Sequence, residues 1–553
     1  NGREMIPQPQ AFNCTMGERW QDIDPDAFAR QERIVRRPEV HIAPAKRKTN
    51  FDEFNLGLTP DDAVKETERC MSCGCQAAFD CKLRTLCDEF GVDINRLGTQ
   101  EKRYDSKQYD YINQDENKCI LCGNCVRICQ EVQDNGILGF VNRGFDTTVK
   151  PNMGIDLSKT SCETCGQCIS ACPTGALTAA VPFAKPGPFK DDRVVSTTCM
   201  LCGTGCAVDI HVSADRITQI TSPLRTSIND GNLCDLGRFA ANIVHDKNRL
   251  TAPLVRDGQK HIEVSWEKAL QAAGGIFSEV LTYKGGDGVA VLVSPDLTNE
   301  ENYLAQKLAR TVLATNNIES TNPLPNVHAA GTATYKDVES SDFILLVGDD
   351  LTVDFPIGAQ KVRTAVAAGS RLAILGEEPT RLDAYSDYSL LVNRDRMQDV
   401  LCALHGYASQ QGLLSGEADG SYPLEEIKRH LALLPEAVRV RADKVTAMLD
   451  EVSKAQKPVV IVTGNTVGGF EQQVLSDILQ GIANNTRGGG MLVMSCGSNA
   501  RGQLDMGVHP DLLPGRLPLG DNDAQNRMRK AADASVPDAA GFELPFILEK
   551  ISR

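Results

Sequence analysis

The chain has 553 residues, a formal net charge of −15 and a sequence pI of about 5.2. This acidic balance argues against a nucleic-acid-binding protein, which would need a concentration of positive charge. The sequence contains no run of about eighteen apolar residues, so no transmembrane helix is predicted. Its first residues lack the pattern of a secretory signal. The length predicts roughly three or four domains.

Cysteine is the most informative residue type in this sequence. Most of the 20 cysteines fall into four groups whose spacing is typical of metal sites rather than disulfides. Such usage indicates a reducing compartment, and we expect a cytoplasmic protein. The sequence opens with Asn1-Gly2-Arg3 and no methionine, from which we expect that it is part of a longer polypeptide. Residues 1–60 are polar and proline-rich, and they predict an extended arm.

The first group of cysteines lies in a Cys-rich region, residues 61–110. Thr59 and Pro60 precede the group and predict a short helix, with threonine as the cap and proline at the first helical position. The predicted ligands of a [4Fe–4S] cluster in this group are Cys70, Cys73, Cys75 and Cys81. Cys87 could take the place of Cys75. A structural zinc site remains an alternative, because the spacing also suits that ion.

The second and third groups, in residues 111–192, form the pattern typical of a two-cluster ferredoxin. Each group is a C-x2-C-x2-C-x3-C run, and Pro173 follows the second run. In this pattern the fourth cysteine of each run binds the cluster of the other run. One predicted [4Fe–4S] cluster therefore takes Cys119, Cys122, Cys125 and Cys172. The other takes Cys162, Cys165, Cys168 and Cys129. A pair of zinc sites is the alternative, although zinc ligands usually come as two separated pairs.

The fourth group occupies residues 193–255, after a proline-rich boundary. Its spacing, C-x2-C-x3-C-x27-C, predicts a fourth [4Fe–4S] cluster on Cys199, Cys202, Cys206 and Cys234. Gly203 and Gly205 suit tight turns around such a cluster, and a zinc ribbon is the alternative. The spacing resembles the N-terminal cluster domain of molybdopterin oxidoreductases, and the resemblance continues through residues 249–254 and 265–270.

Residues 256–553 alternate apolar runs with helical patterns, which is typical of a doubly wound α/β domain. Buried parallel strands are predicted at residues 289–293, 343–347, 372–375 and 459–462. Helices are predicted at residues 299–313 and 357–368. Gly348 and Gly464 follow predicted strands, where such folds bind ligands. A single glycine there is more often a turn, and the chain has no G-x-G-x-x-G motif, so the evidence for nucleotide binding is slight.

The resemblance to molybdopterin enzymes implies a molybdenum site, which the sequence does not support. In those relatives a Cys or selenocysteine follows a segment like residues 299–303, but residues 316–328 contain no cysteine. We also expect no C-terminal domain that would complete a pterin pocket. Cys14, Cys402 and Cys496 have no partner pattern, and we expect the last two to be buried as small apolar side chains. The predicted fold is α+β iron–sulfur domains followed by a doubly wound α/β region, which resembles a molybdopterin-oxidoreductase scaffold without its cofactor.

Two further resemblances concern the cysteine-rich part. Residues 51–81 resemble the segment that joins a flavoprotein of the glutamate synthase small-subunit type to a cluster domain, and residues 1–20 resemble that flavoprotein's tail. This implies FAD and NADP on a preceding segment. Residues 81–84, 119–123 and 139–147 resemble the G subunit of NADH-quinone oxidoreductase and related formate dehydrogenase subunits. Where the G subunit has a histidine ligand in its upstream cluster, this chain has only cysteines, and histidine ligation changes a cluster's potential.

The combination resembles the large subunit of the Stn-type electron-bifurcating transhydrogenases. This resemblance implies an iron–sulfur relay that links NADH, ferredoxin and NADP, with partner subunits similar to the E and F subunits of NADH dehydrogenase. No catalytic residue is predicted within residues 1–553. Two alternatives stay open. One is a relay subunit of a formate dehydrogenase or hydrogenase complex, and the other is a structural module that holds zinc and has no redox role.

Overall fold

The computed structural model describes residues 35–67, 81–92, 107–180, 193–323 except 214 and 227, 333–393, 454–463 and 489–551, with a few positions between 104 and 452. The chain divides into two compact units. The first comprises Asn1–Glu131, Asn135–Val194 and His211–Gln219. The second comprises Val132–Asp134, Val195–Ile210 and Ile220–Arg553. The five-domain division expected from the sequence stays a prediction.

The helices described in the first unit are short. They are α1 (Pro44–Arg47), α2 (Pro60–Thr67), α3 (Lys82–Glu89), α4 (Asn124–Arg127) and α5 (Gln167–Ala171). The helix predicted after Thr59 is confirmed, because α2 begins at Pro60 and the N–H of Asp62 donates to Thr59 Oγ1 at 3.2 Å. Helices this short are not stable alone in water, so the folded state of this unit depends on packing.

The packing of the first unit is built around its cysteines. Its strands are β1 (Lys107–Gln108), β2 (Ile112–Gln114), β3 (Leu138–Val141), β4 (Thr148–Pro151) and β5 (Leu177–Ala179). Strand β2 lies between β1 and β5 in an antiparallel sheet, and β3 and β4 form a hairpin. The buried side chains of Ile112, Leu138 and Leu177 form one cluster, and cysteines of both ferredoxin-type runs pack against it. The thiols are therefore part of the core of this unit.

A three-stranded sheet carries the fourth cysteine group. It consists of β6 (Arg193–Thr198), β7 (Ala207–Ser213) and β8 (Arg216–Thr221), with β7 in the middle. Cys199 and Cys206 flank the connection from β6 to β7, and the N–H of Cys199 donates to Cys206 O at 2.7 Å. Helix α6 (Asp235–Phe239) follows, and then the antiparallel hairpin of β9 (Leu254–Asp257) and β10 (Lys260–Glu263).

A small parallel pair of strands comes next in the chain. The elements are α7 (Trp266–Lys284), β11 (Val291–Val293), α8 (Asn299–Lys307) and β12 (Ile318–Ser320), and β11 pairs with β12. Helix α8 begins with a capping box between Thr298 and Glu301, and a π-helical turn over Leu308–Val312 continues it. The strand predicted at residues 289–293 is therefore shorter than expected, and the helix predicted at residues 299–313 changes type near its end.

Arg310, in the π-helical turn after α8, connects the layer formed by β11, β12 and α8 to a distant part of the chain. Its side chain is 0% exposed, and burial lowers its pKa to about 10, so the guanidinium stays charged at neutral pH. It donates to two side-chain oxygens and three backbone carbonyls at 2.7–3.0 Å, those of Gln306, Asn316, Gly507, His509 and Leu512. Gly507 lies 197 residues further along the chain. A buried charge is tolerated here because all of its donors find acceptors.

The part of the sequence between Arg310 and Gly507 forms a five-stranded parallel sheet. Its strands are β13 (Phe343–Val347), β14 (Arg371–Gly376), β15 (Tyr388–Leu391), β16 (Pro458–Thr463) and β17 (Gly490–Met494), in the order β15-β14-β13-β16-β17. Every residue of β13 and β16 is buried. Continuous apolar runs of this kind are typical of a parallel sheet covered by helices on both faces. The strands predicted at residues 343–347, 372–375 and 459–462 are confirmed.

The strand order of this sheet reverses between β13 and β16. Crevices at such points, beyond the carboxyl ends of the strands, are where doubly wound folds bind ligands. Gly348 directly follows β13 with a positive φ of 122°, and a Cβ there would lie 2.4 Å from Thr463 O at the end of β16. Glycine is therefore required at Gly348 by close backbone packing. Gly464 lies outside the described residues.

The remaining elements cover the sheet or follow it. They are α9 (Tyr335–Glu339), α10 (Leu351–Asp354), α11 (Pro356–Ala367), α12 (Ala500–Asp505), β18 (Leu512–Leu513), β19 (Leu517–Pro518), α13 (Asn522–Ala532) and α14 (Leu544–Ile551). The helix predicted at residues 357–368 corresponds to α11. Among the helices that the structure describes, none combines the length and the hydropathy that crossing a membrane requires.

Candidate iron–sulfur sites

The first ferredoxin-type run folds into a tight turn that directs a backbone N–H towards sulfur. Leu121 and Gly123 both have left-handed φ angles, 54° and 74°, and α4 begins at the next residue. The N–H of Leu121 lies 3.4 Å from Cys119 Sγ. Glycine adopts a left-handed conformation without strain, which explains Gly123. Leu121 takes the same conformation at a steric cost, and the contact with sulfur offsets that cost.

The second run repeats this turn. Thr164 and Gly166 have φ angles of 53° and 68°, the N–H of Thr164 lies 3.4 Å from Cys162 Sγ, and α5 begins after Gly166. Thr164 and Leu121 occupy the same position in their runs, two residues after the first cysteine. The duplicated spacing in the sequence therefore corresponds to a duplicated backbone conformation, with an N–H···S contact in each copy.

The structure also groups the cysteines across the two runs. One cavity is lined by Cys119, Cys122, Cys125 and Cys172. On the other side, Cys129 lies close enough to Cys162 and Cys168 to contribute to the raised pKa of each. Cys165 also lies beside Cys168. This exchange of the fourth cysteine is the arrangement that the ferredoxin pattern predicts. The assignment of each thiol as a ligand stays a prediction.

Burial disfavours the thiolate form of two of these cysteines when no metal is bound. It raises the pKa of Cys125 to about 12, and the neighbouring Cys119 and Cys172 add to the shift. Burial likewise raises the pKa of Cys168 well above its ordinary value, followed by the effect of Cys165. A bound metal ion favours the thiolate and reverses this preference. A group of buried thiols that repel one another as anions is what a cationic metal centre stabilises.

The fourth group forms a separate cavity lined by Cys199, Cys202, Cys206 and Cys234. Cys234 is the N-cap of α6, and the N–H of Gly237 lies 3.3 Å from Cys234 Sγ. Burial raises the pKa of Cys234 to about 11 and also raises that of Cys206. The same features recur here as in the ferredoxin-type runs: four grouped thiols, partial burial and an N–H directed at sulfur.

Two glycines shape the turn of the fourth group for different reasons. Gly205 has a left-handed φ of 69°, which confirms the predicted tight turn. Gly203 is needed because another loop packs against it. Its N–H donates to Ser495 O at 3.1 Å, and a Cβ on Gly203 would lie 2.6 Å from that oxygen. The loop after β17 therefore lies directly against the cysteine turn.

The first group is described only in part, since Cys70, Cys73 and Cys75 lie outside the described residues. Cys81 is the N-cap of α3, and the N–H of Arg84 lies 3.4 Å from Cys81 Sγ. Cys87 lies on α3 and is half-buried. The choice between Cys75 and Cys87 as a ligand therefore stays open, as does the alternative of zinc at this group.

The described thiols have the donor chemistry of a [4Fe–4S] cluster. A [4Fe–4S] cube takes one thiolate at each of four iron atoms. The four cysteines around each of the two cavities fit the cube. Zinc also accepts four thiolates.

The carboxyl edge of the five-stranded sheet is acidic. Asp349 and Asp350 follow β13, and Glu377 and Glu378 follow β14. Burial raises the pKa of nearby Asp354, and the first two aspartates add to the shift. A molybdopterin cofactor carries a phosphate group, which carboxylates at this edge would repel. These carboxylates therefore make the edge an unfavourable place for that phosphate.

The expectation for one isolated cysteine is wrong. The sequence predicts a buried Cys496, but this residue is exposed, because it lies in the turn that follows β17 rather than in the strand. That turn includes Ser495, whose carbonyl accepts from Gly203. Cys14 and Cys402 lie outside the described residues.

Cysteine spacing does not reveal the residues that bond the backbone next to the cysteines. Asn229 is fully buried and bonds the backbone near two cysteines of the fourth group. The turn signal Asn229-Asp230-Gly231, shortly before Cys234, would have drawn attention to it. The N–H donors at Leu121 and Thr164 could have been found from their equivalent positions in the two runs.

Three family models match successive parts of the chain. Residues 110–178 match the ferredoxin-like domain of NADH-quinone oxidoreductase subunit 3. Residues 192–246 match the molybdopterin oxidoreductase Fe4S4 domain, and residues 249–511 match molybdopterin oxidoreductase. The chain thus carries iron–sulfur ferredoxin-like domains followed by a molybdopterin oxidoreductase domain, which confirms the predicted fold class.

Individual relatives come from several kinds of oxidoreductase. The chain is 30% identical over 509 residues to the alpha subunit of the NADPH-Fe(3+) oxidoreductase of Geobacter sulfurreducens, covering 87% of this chain and 58% of the relative. It is 28% identical over 499 residues to the second G-type chain of the NADH-quinone oxidoreductase of Rhizobium meliloti, covering 86% and 56%. A putative formate dehydrogenase of Staphylococcus haemolyticus is 24% identical, covering 85% and 54%.

The chain thus spans a little over half the length of these relatives. Among solved structures, acetylene hydratase from Pelobacter acetylenicus matches with a TM-score of 0.43 and 15% identity, covering 62% of this chain and 47% of that chain. That similarity is too low to support an argument, so the fold assignment rests on the family models and on the observed sheet.

Proposed function

We propose that this chain is the iron–sulfur electron-relay subunit of an NAD(P)-linked oxidoreductase. The observation that carries the proposal is the pair of equivalent cysteine turns with exchanged fourth cysteines. A two-cluster ferredoxin arrangement of this kind serves electron transfer. The homology to the Geobacter and Rhizobium oxidoreductase chains supports the same role.

The proposal assigns four [4Fe–4S] clusters to the chain, and bound clusters would supply one-electron redox chemistry. The first would be held by Cys70, Cys73, Cys75 and Cys81. The second and third would be held by Cys119, Cys122, Cys125 and Cys172, and by Cys162, Cys165, Cys168 and Cys129. The fourth would be held by Cys199, Cys202, Cys206 and Cys234. No residue of the chain is assigned a catalytic role.

Residues around the cysteines would adjust the properties of the bound clusters. The N–H groups of Leu121, Thr164 and Gly237 donate towards ligand sulfurs, and such hydrogen bonds tune the reduction potential of a cluster. Apolar side chains pack against cysteines of both ferredoxin-type runs, and this packing limits the access of water to those sulfurs. Both effects belong to the protein, which sets the environment while the cluster supplies the chemistry.

More specifically, we propose an electron-bifurcating transhydrogenase that links NADH, ferredoxin and NADP. Its partner subunits would be similar to the E and F subunits of NADH dehydrogenase, and FAD and NADP would bind outside residues 1–553. The acidic edge at Asp349 and Asp350 supports a further part of the proposal, namely that the α/β domain holds no molybdopterin.

Metal analysis of the anaerobically purified chain tests the relay. Four cubes predict about sixteen iron atoms per chain, a matching amount of sulfide and negligible molybdenum. Reduction of NADP by NADH plus reduced ferredoxin, measured with the partner subunits added, tests the specific reaction. Stoichiometric zinc without iron would overturn the relay proposal. Stoichiometric molybdenum would overturn the proposed absence of the pterin.

A second candidate is a relay subunit of a formate dehydrogenase or hydrogenase complex. The homology to the Staphylococcus protein favours it. Affinity purification of the tagged chain from its source cells separates the candidates. Stable recovery of a molybdenum-containing or hydrogenase subunit would support this second candidate, and recovery of subunits similar to E and F without either would support the transhydrogenase.

A further inference from the structure

We infer that Asn229 is a positioning residue for the fourth cluster. The inference rests on the proposed function, because it takes Cys206 and Cys234 as cluster ligands. Asn229 acts through the backbone next to these two cysteines rather than on the cluster itself. Every contact that carries the argument lies within the second unit.

The side-chain amide of Asn229 first fixes the backbone after Cys206. The N–H of Ala207 donates to Asn229 Oδ1 at 3.0 Å, and Asn229 Nδ2 donates to Ala207 O at 3.1 Å. Ala207 directly follows Cys206, whose own carbonyl accepts from the N–H of Cys199 at 2.7 Å. The amide therefore restrains one cysteine and, through it, a second.

The same amide then reaches the backbone before Cys234. Asn229 Nδ2 donates to Asn232 O at 2.7 Å, and the N–H of Asn232 donates back to Asn229 O at 2.8 Å. Only Leu233, which is 1% exposed, separates Asn232 from Cys234. One side chain thus connects two ligand segments that are far apart in the sequence.

Burial makes this connection specific. Asn229 is 0% exposed. Its Nδ2 also donates to Ser222 Oγ at 2.8 Å, so its two N–H groups are shared among three acceptors, and Thr226 Oγ1 donates to its Oδ1 at 3.2 Å. A fully paired buried amide favours one arrangement, whereas a half-paired one is destabilising. Residues that orient metal ligands from outside typically change metal affinity about 10–100-fold when they are replaced.

The test is Asn229→Asp in the full chain, purified anaerobically with its clusters. Aspartate keeps the acceptor for the N–H of Ala207 but loses the donors to Ala207 O and Asn232 O. EPR spectra of the reduced protein, recorded at increasing concentrations of an iron chelator, follow each cluster separately. The signal missing from a Cys234→Ser variant identifies the fourth cluster.

We expect the fourth-cluster signal of Asn229→Asp to disappear at a chelator concentration about 10–100-fold lower than in the unaltered chain. Its line shape should change, and the signals of the ferredoxin-type pair should not. Ser222→Ala is the matched control. It removes a partner of Asn229 that leads to no cysteine, so its fourth-cluster signal should resist the chelator almost as in the unaltered chain.

Two results would overturn the inference: an unchanged chelator sensitivity of the fourth cluster, or a parallel loss of all clusters. If Asn229→Asp does not accumulate as folded protein, Asn229→Ser is measured in the same way and judged by the same results. A lack of iron in the unaltered chain would contradict the proposed function instead, so the two failures are distinguishable.

Discussion

At Gly203 a single methyl group would collide with the backbone of a neighbouring loop. The Cβ of Gly203→Ala would lie 2.6 Å from Ser495 O, and a backbone oxygen cannot rotate away. We expect the free energy of unfolding to fall by about 1–3 kcal/mol, the usual cost of overpacking. Urea unfolding followed by circular dichroism measures this change.

The matched control is Gly274→Ala on α7, where an added Cβ meets no atom within 4 Å. Alanine in the middle of a helix should stabilise the chain by about 0.5–1 kcal/mol relative to glycine. The two substitutions add the same methyl group and are expected to act in opposite directions. Equal effects would show that packing against Ser495 is not what requires glycine at Gly203.

Glu319 makes the stability of the chain depend on pH. Its side chain is 4% exposed on β12, and burial raises its pKa from 4.5 to about 7 despite the N–H that Ser320 donates to it. A raised carboxyl pKa means that the folded state binds the proton more tightly than the unfolded state. Its stabilising effect is therefore complete below about pH 4.5 and is lost as the pH rises through about 7.

Glu319→Gln should remove this dependence, because glutamine stays neutral. We expect the variant to gain stability over the unaltered chain as the pH rises from about 5 to about 8, by at most roughly 3 kcal/mol. Urea unfolding at several pH values measures the difference. Glu279→Gln, at an exposed position on α7, is the control, and its difference from the unaltered chain should not vary in this way. A constant difference for Glu319→Gln would contradict the prediction.

At the scale of elements, the two cysteine turns are equivalent but not independent. The cavity at the first turn includes Cys172, which belongs to the second run. If the fourth cysteines are exchanged, Cys172→Ser should disturb the same cluster as Cys122→Ser. We expect these two variants to share one altered EPR signal and each to lose up to about four iron atoms per chain.

Cys165→Ser is the comparison for this prediction, because it lies in the same run as Cys172. It should alter the other signal of the pair, together with Cys129→Ser. If Cys172→Ser matched Cys165→Ser rather than Cys122→Ser, each run would hold its own cluster and the exchange would be wrong.

Local sequence patterns predicted the strands whose burial is visible in their own residues. Strand β13 coincides with residues 343–347 because an uninterrupted apolar run suits a strand buried on both faces. The strand expected at residues 289–293 is shorter, since β11 has one partner strand among the described residues and Leu292 stays 37% exposed. Strand order, and the loop that packs on Gly203, depend on contacts between distant residues, which periodicity does not encode.

The cysteine groups show the same difference between features that follow from local sequence and features that depend on distant contacts. Spacing identified the thiols that the structure places around common cavities, because the ligands of a cluster follow closely in sequence. It did not identify Asn229, whose importance comes from being between two segments that meet only in the fold. The usual burial of an unpartnered cysteine also predicted Cys496 in the interior, whereas the chain turns at the surface there.

At the scale of the whole second unit, the layer of β11, β12 and α8 depends on the hydrogen bonds of Arg310. Arg310→Met would leave the carbonyls of Gly507, His509 and Leu512 buried without their donor. We expect the free energy of unfolding to fall by about 3–5 kcal/mol, because each buried acceptor left without its donor costs about 1–3 kcal/mol. Denaturant unfolding of the full chain measures the loss.

Arg501→Met, at an exposed position on α12, is the control and should change stability by less than about 0.5 kcal/mol. Limited proteolysis shows where the structure opens, because loss of the Arg310 contacts should expose the backbone around Gly507 to cleavage. A small effect of Arg310→Met on both measurements would show that the layer is held by apolar packing alone.

The contacts of Arg310 also have a consequence for the order in which the protein is made. Its acceptor at Gly507 leaves the ribosome 197 residues after it, which is roughly 10–40 s at usual rates of synthesis. Until then, the guanidinium has to remain in water, because burying it without its acceptors is costly. Strands β11 and β12 are therefore synthesised early but complete their layer late, and the five-stranded sheet between the two contact points has the time to begin folding first.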